Sequence, residues 1–202
     1  MIDYAIQHPD KLIIPLLEHM EMLVITLVIS LVLASLLTII SIYSSAFSNV
    51  LIYSFSILYS IPSLALFALL IPVTGLGQFT AIIVLILYNQ YLLLRNFIEG
   101  LNGVEPSIVE AATGVGMSKM QVLFRIKVPL SKKAILTGFR LATVSTIGIA
   151  TIASFINAGG LGQILFDGLR TINTVKILWG ALLAAALAIG TNAILGRIEK
   201  RV

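Results

Sequence analysis

Cysteine is absent from this 202-residue chain, and histidine occurs only twice, at His8 and His19. The lack of cysteine excludes disulfides, thiolate metal sites and cysteine nucleophiles. The two histidines lie too far apart in sequence to bind one metal ion as a helical ligand pair. The sequence therefore predicts no metal site, no cofactor and no catalytic residue.

Charge is also scarce. Charged residues make up 11% of the chain and apolar residues 58%, with a mean hydropathy of +1.05, whereas roughly 25% of residues are charged in soluble domains. No charged residue occurs between Glu21 and Arg95. This composition predicts an all-α integral membrane protein in contact with the lipid bilayer. The net charge of +4 does not indicate nucleic-acid binding, because the basic residues gather in one loop and at the C-terminus, as expected of membrane flanks.

Five apolar stretches predict about five transmembrane helices in a single domain over residues 1–202, because about 20 apolar residues cross a bilayer core of about 30 Å. The stretches are residues 22–43, 50–73, 79–94, 134–157 and 177–195. A short interfacial helix is predicted before them at 13–19. The glycine-rich residues 158–176 predict a flexible loop with short helical pieces.

Polar residues and proline interrupt these apolar stretches at a few positions. Pro62 predicts either a tolerated kink of the second span or a bend that lines a pore. Asn89 and Gln90 predict hydrogen bonds between helices, with a substrate contact as the alternative. Arg140 lies about two turns inside the fourth span, and we expect its side chain to extend towards the basic side of the membrane.

The distribution of basic residues predicts the orientation of the chain. By the positive-inside rule, residues 119–133 and the C-terminal tail with Arg197, Lys200 and Arg201 are expected in the cytoplasm. Five spans then place the N-terminus outside. Residues 1–21 lack the basic start and small-residue cleavage site of a secretory signal, so we expect the first span to remain in the mature protein.

The long polar loop, residues 101–132, predicts two short helices. Pro106 favours the start of the first helix, and Gly116 permits a turn at its end. Ser118 is a suitable N-cap for the second helix, which we expect to end at Pro129. Two short helices joined at a narrow tip have a shape that fits a groove of a partner protein.

The spacing within this loop follows a known pattern. From position 110 the chain reads EAATGVGMSKMQVLFRIKVP. A Glu-Ala-Ala triplet is followed after three residues by glycine, after nine more by isoleucine, and after one more by Val-Pro. The defining positions are Glu110, Ala111, Ala112, Gly116, Ile126 and Pro129. This pattern resembles the EAA loop of permease subunits in bacterial ATP-binding cassette (ABC) importers, with Val128 in place of the usual leucine.

The resemblance implies a type I ABC importer transmembrane domain in a bacterial cell membrane, in which this loop is the cytoplasmic coupling helix that docks on an ATPase subunit. It also implies a second permease chain, identical or similar, and an extracellular binding protein or lipoprotein. The chain has no phosphate loop of the form Gly, four residues, Gly-Lys-Ser/Thr. We therefore expect ATP to bind the partner subunit and the chain itself not to be an enzyme.

Two further segments resemble the osmoprotectant permeases of this family: IPSLALFALLIP from position 61, and the stretch from position 156 that begins INAGGLGQILFDGLR. They imply uptake of compatible solutes and quaternary ammonium compounds such as glycine betaine, carnitine and choline. Related permeases leave a methionine-like or ergothioneine-like substrate as an alternative. A secondary transporter and a structural membrane protein are further alternatives, although the first three spans carry no charge of the kind typical of secondary transporters.

Overall fold

The structure, a computed structural model, describes the backbone of all 202 residues and every side chain except that of Ser45. The regular parts of the described backbone are all helical, which confirms the predicted all-α class. The α-helices are α1 (Ile2–Gln7), α2 (Asp10–Ser41), α3 (Ser45–Ser60), α4 (Ser63–Thr74), α5 (Gln78–Asn102), α6 (Pro106–Gly114), α7 (Lys119–Val122), α8 (Val128–Leu130), α9 (Lys132–Ala153), α10 (Gly162–Arg170) and α11 (Thr174–Glu199). A π-helical segment (Leu123–Lys127) joins α7 to α8, and a 3-10 turn (Ser154–Ile156) follows α9.

Four of these helices, α2, α5, α9 with its 3-10 turn, and α11, are long and apolar enough to cross a membrane. The bent pair α3 and α4 gives a fifth span if it is counted as one. Each helix extends beyond the apolar stretch that predicted it; α5, for example, continues past Arg95 to Asn102. The positions at which the helices enter and leave a membrane, and the division into a single domain, stay predictions.

Helix α2 is one continuous helix from Asp10. The separate interfacial helix predicted at 13–19 is therefore wrong. Pro15 lies inside α2, but so near its start that it removes a single backbone hydrogen bond of the second turn. The rest of the helix continues because the apolar-rich residues 16–41 follow without a glycine or proline.

The two faces of α2 differ in polarity. The buried face contains several hydroxyl side chains and a histidine: His19, Thr26, Ser30, Thr38 and Ser41. The large side chains exposed along residues 24–40 are all aliphatic: Val24, Val28, Ile29, Leu31, Val32, Leu33, Leu36 and Ile40. An aliphatic exterior around a partly polar interior is what hydrocarbon requires, since lipid offers no hydrogen bonds.

The predicted interruption at Pro62 is confirmed as a break between two helices. Helices α3 and α4 meet at an angle of 98°. Pro62 has no N–H to continue the α3 ladder, and Ile61 before it adopts an extended conformation, with φ −70° and ψ 132°, as residues before proline prefer. Tyr88 of α5 donates a hydrogen bond from its hydroxyl to the Ile61 carbonyl at 2.5 Å. This carbonyl, at the break, therefore has a hydrogen-bond partner.

Helices α2, α5 and α9 form the centre of the bundle and are joined by buried polar side chains. Asn89 Nδ2 of α5 lies 2.9 Å from Thr146 Oγ1 of α9 and 3.4 Å from Ser30 Oγ of α2. Gln90 Nε2 donates to the Ser30 carbonyl at 3.3 Å. The interpretation of these amides as links between helices is confirmed, and full burial of both side chains keeps them from a substrate in this conformation.

Residues 158–162, AGGLG, are buried and pack against the first third of α2. The main-chain N–H of Gly160 donates to Glu18 Oε2 at 2.9 Å. Gly159 and Gly160 have φ of +85° and +81°, a region that side-chain-bearing residues seldom adopt. The glycines of this stretch permit close packing against α2, and the short helical piece predicted within 158–176 is confirmed as α10.

Helix α11 closes the chain against α9 and α10. Arg140 Nε lies 3.1 Å from Glu199 Oε2, and Thr137 donates to the other carboxylate oxygen of Glu199 at 2.8 Å. Arg140 thus extends towards the end of the bundle that holds the basic C-terminal tail, as expected, and there it pairs with a carboxylate of another helix. The acid lies 59 positions further along the chain, so no local pattern indicated it.

Candidate functional site

Residues 105–131, which we call the projection, connect α5 to α9 at the end of the bundle that also holds the C-terminus. This placement follows from Thr137, near the start of α9, and its hydrogen bond to Glu199, the last residue of α11. The N-terminus lies at the other end, where Trp179 near the start of α11 donates to the Met1 carbonyl at 3.1 Å. The projection and the N-terminus therefore lie on opposite sides of the helical bundle.

The first arm of the projection is α6. It begins after Glu105, with Pro106 in its first turn, as the sequence predicted. It ends at Gly114, and Gly116 then turns the chain with φ +87°. The N–H groups of Gly116 and Met117 donate to carbonyls of α6, so the turn is closed by hydrogen bonds.

The second arm starts at Ser118, where a reciprocal pair of hydrogen bonds caps α7. Ser118 N donates to Gln121 Oε1 at 2.8 Å, and Gln121 N donates to Ser118 Oγ at 3.4 Å. This is the capping box expected of Ser-x-x-Gln. The predicted N-cap is confirmed, whereas the predicted end at Pro129 is wrong. Pro129 is an early residue of α8, where its missing N–H matters least, and the break occurs at Ser131.

The base of the projection is tied to the bundle. Ser131 Oγ donates to the Gly100 carbonyl of α5 at 2.8 Å. At Gly100 a Cβ would lie 2.5 Å from Ala134 Cβ, so the backbones of α5 and α9 are in close contact there. Lys119 Nζ lies 5.7 Å from the centroid of the Tyr43 ring, in the turn between α2 and α3. A force on the projection is thus transmitted to α2, α5 and α9.

The six residues that define the loop pattern occupy different environments. Exposed residues are Glu110, Ala111, Gly116 and Pro129; Ala112 is buried and Ile126 half-buried. Among the described side chains Glu110 makes no ion pair or hydrogen bond. The structure brings the first four positions to one arm and its tip, and places Ile126 and Pro129 on the other arm.

The projection also carries an exposed apolar surface that the sequence analysis missed. Its large members are Ile108, Val115, Phe124 and Leu130. Val115 is 81% exposed although it neighbours the turn at Gly116, where a polar residue would suit water better. The signal present in the sequence was valine between two glycines in an otherwise polar turn, and an apolar residue in such a place indicates a protein contact.

The opposite end of the bundle has an open cleft of about 940 Å³ between the start of α2 and α10. Its wall is charged, with both signs present: Asp10, Lys11, Asp167, Arg170 and Lys176. Lys176 Nζ donates to Asp167 Oδ2 at 2.6 Å and Arg170 donates to Oδ1 at 3.0 Å. These two donors, Lys176 foremost, hold the pKa of the Asp167 carboxyl below its ordinary value, so this acid stays ionised.

Comparison with known proteins shows what this arrangement is similar to. The family model described as "Binding-protein-dependent transport system inner membrane component" matches residues 27–202. The carnitine transport permease protein OpuCB of Listeria monocytogenes is 39% identical over 155 residues, which cover 77% of this chain and 71% of the relative. The glycine betaine/carnitine/choline transport system permease protein OpuCB of Bacillus subtilis (strain 168) is 33% identical over 185 residues, covering 92% and 85%.

A solved structure agrees in fold. The inward-facing MetNI methionine ABC transporter matches with a TM-score of 0.83 over 94% of this chain and 95% of that chain, at 18% sequence identity. At this level of identity the likeness concerns the fold alone. It confirms the predicted ABC importer transmembrane fold, including the helical projection between α5 and α9.

Proposed function

The chain belongs to the family of binding-protein-dependent transport system inner membrane components, and from this membership we propose that it is the permease subunit of an ABC importer for quaternary ammonium osmoprotectants. The observation that carries the proposal is the projection. It combines the importer loop pattern with an exposed apolar surface on a rigid base. Such a surface on a membrane protein needs a water-soluble protein partner.

The partner of the projection is the ATPase subunit of the importer. Val115 and Phe124 form the apolar contacts, and Glu110 supplies a free carboxylate beside them. The hydrogen bond from Ser131 to the Gly100 carbonyl connects the projection to α5. Movement of the ATPase is therefore transmitted to the helical bundle. ATP binds and is hydrolysed on the partner, and this chain converts that movement into alternating access by populating two arrangements of its helices.

The orientation follows from the same assignment. The ATPase is cytoplasmic, so the projection and the C-terminus face the cytoplasm and the N-terminus faces outwards. The charged cleft between α2 and α10 then lies on the outer surface. Its mixed charge suits contact with a few side chains of an extracellular binding protein that delivers the substrate.

The substrate class rests on the relatives, whose names include carnitine, choline and glycine betaine. These compounds share a quaternary ammonium group, which is recognised by aromatic rings and polar groups. The fold neighbour transports methionine by its title, but its 18% identity carries no substrate assignment. A second permease chain completes the pathway, since one five-span chain encloses none by itself.

The test is reconstitution of the complex with its ATPase and binding protein, followed by ATP hydrolysis and uptake in proteoliposomes. The binding protein is loaded in turn with glycine betaine, carnitine, choline, methionine and ergothioneine. The coupling variant is Gly116→Ala, where φ of +87° strains any side chain. The matched control is Gly114→Ala, two residues away, which has helical geometry and open space around it.

We expect the three quaternary ammonium osmoprotectants to stimulate hydrolysis and methionine not to. Gly116→Ala should lower the stimulation at least about fivefold, the effect of roughly 1 kcal/mol of backbone strain, while Gly114→Ala keeps it. Stimulation by methionine alone would overturn the substrate class. Equal stimulation in both glycine variants would overturn the assignment of the projection as the coupling element.

A further inference from the structure

The exposed side of α3 is divided lengthwise into a polar strip and an apolar strip. Asn49, Tyr53, Ser56 and Ser60 are spaced by four, three and four residues, so they share one face of the helix. Their side chains are exposed or half-buried. The neighbouring strip is mainly aliphatic: it contains Val50 and Ile57, which are 61% and 51% exposed, with Ser54 between them.

The polar strip runs along most of α3, and Tyr53 and Ser56 lie near the middle of this helix. Tyr53 is eight residues from the start of α3 and Ser56 is eleven, which correspond to about 12 and 17 Å at 1.5 Å per residue. The middle of a 30 Å hydrocarbon core lies about 15 Å from either surface.

A polar strip at this depth does not suit lipid. A tyrosine in a membrane normally lies at the interface with its hydroxyl in water, yet Tyr53 is 70% exposed near the centre, and its hydroxyl has no hydrogen bond to any described residue. The exposed aliphatic side of α2 shows what the same chain presents to lipid. The two surfaces therefore face different surroundings.

The break after α3 leads to the same conclusion independently of the strip. Ser60 and Pro62 are exposed at the end of α3, inside the bent span, where the backbone leaves the helical hydrogen-bond pattern. Non-helical backbone within a span is tolerated only where protein covers it or where it borders a water-filled cavity. Within this chain Tyr88 satisfies the Ile61 carbonyl, and the outer side of the break stays uncovered.

We propose that the polar strip of α3, with the break at Pro62, lines the aqueous substrate pathway between this chain and the second permease chain, and that Tyr53 contacts the passing substrate. This inference rests on the proposed function and adds the residues that meet the solute. The strip has hydroxyl, amide and phenol groups and no charge. A neutral lining with one aromatic ring suits a small solute that carries a quaternary ammonium group, because the ring attracts the cation without trapping it in an ion pair.

The absence of cysteine in the chain permits a direct test. Single cysteines replace two adjacent residues at the same depth on the two strips, Ser56→Cys and Ile57→Cys. The assembled importer in membrane vesicles is treated with a water-soluble thiosulfonate that carries a trimethylammonium group. Reaction requires the thiolate, which forms in water and not in hydrocarbon. Labelling rates are measured without nucleotide and with ATP and vanadate.

We expect Ser56→Cys to react faster than Ile57→Cys by on the order of tenfold in at least one nucleotide state. Equal rates in both states would overturn the proposal. Failure of the proposed function is distinguishable, because it appears as absent uptake and absent nucleotide dependence. An importer that transports with equal labelling at the two positions refutes the pathway assignment alone.

A second measurement concerns the ring of Tyr53. Tyr53→Phe keeps the aromatic face and Tyr53→Leu removes it. We expect uptake of choline to retain its KM in the phenylalanine variant and the KM to rise about two- to fivefold in the leucine variant, the factor expected of a cation–ring contact in an exposed place. Equal KM values for Tyr53→Leu and the unmodified importer would overturn the assigned contact.

Discussion

Two glycine-containing segments at opposite ends of the bundle use glycine for different reasons. In residues 158–162, which we call the outer segment because it lies at the end proposed to face outwards, glycine is needed because other atoms occupy the space: a Cβ at Gly162 would lie 1.9 Å from the Thr151 carbonyl oxygen. In the projection, a Cβ at Gly116 would meet nothing within 4 Å, and glycine is needed for the positive φ alone. The outer segment is shaped by the rest of the fold, whereas the projection keeps an open surface for a partner.

The largest effect is expected from Gly162→Ala. Both the Thr151 carbonyl oxygen and Ser154 Oγ lie within 2.4 Å of the added carbon, and the former is backbone that cannot turn aside. We expect destabilisation above about 3 kcal/mol, at the upper end for overpacked sites, measured as thermal unfolding in detergent. The control is Gly190→Ala in α11, where nothing lies within 4 Å. Similar unfolding temperatures for the two variants would contradict the close packing described for the outer segment.

The next effect concerns the carboxylate that holds the outer segment. Glu18 accepts from the Gly160 N–H, and charged hydrogen bonds contribute about 1.5–3 kcal/mol. Glu18→Ala should lower stability by about that amount. Glu21→Ala, one turn further along α2 and exposed, serves as the control and should change stability by less than about 0.5 kcal/mol. Equal losses would mean that the hydrogen bond adds nothing to the attachment of the segment.

In the projection, a substitution at the exposed residue Val115 should leave folding intact and weaken the contact with the ATPase. Val115→Asp places a charge on a side chain that is 81% exposed, so the thermal stability of the chain should stay the same. Loss of a buried valine at the ATPase interface should weaken ATPase association about tenfold, as expected for 1.5 kcal/mol. Thr113→Asp, also exposed on α6, is the control in a co-purification assay. A Val115 variant that unfolds early would show that this side chain stabilises the chain itself.

The smallest effect is the pH dependence of the charged cluster beside the outer segment. Lys176 and Arg170 lower the pKa of Asp167 in the folded chain below its ordinary value of 3.8. The stability contributed by the cluster is therefore present above pH 3.8 and is lost as the pH falls through the lowered pKa. Because the cluster is well exposed to solvent, we expect a small loss, detected as a difference between the wild type and Asp167→Asn in unfolding temperature at pH 3 and pH 6. Parallel curves would indicate that the pairs contribute nothing.

Much of the fold was predictable because it depends on composition. Long apolar stretches predicted the helices, the proline at position 62 predicted the break, and Ser118 predicted the cap of the second arm. The errors occurred where a feature of the sequence was judged alone. A separate helix was predicted at 13–19 and a helix end at Pro129, yet the helical backbone continues past both Pro15 and Pro129.

Contacts between distant parts of the chain were not predictable. The partner of Arg140 is Glu199, and the partner of Glu18 is Gly160; each pair is far apart in sequence and no periodicity connects them. The exposure of Phe124 was equally hidden, because phenylalanine in a helical segment usually indicates a core position. The roles of Glu110 and Gly116 in coupling stay predictions that the reconstitution experiment tests.

The sequence by itself determined the class of environment, the number and approximate position of the helices, and the family, because hydrophobicity, helix breakers and the loop spacing are local or additive properties of the chain. Only the tertiary structure decided which side of each helix meets lipid, protein or water. That choice depends on neighbours brought together by folding, and it separates the aliphatic exterior of α2 from the polar strip of α3, two surfaces built from the same apolar-rich composition.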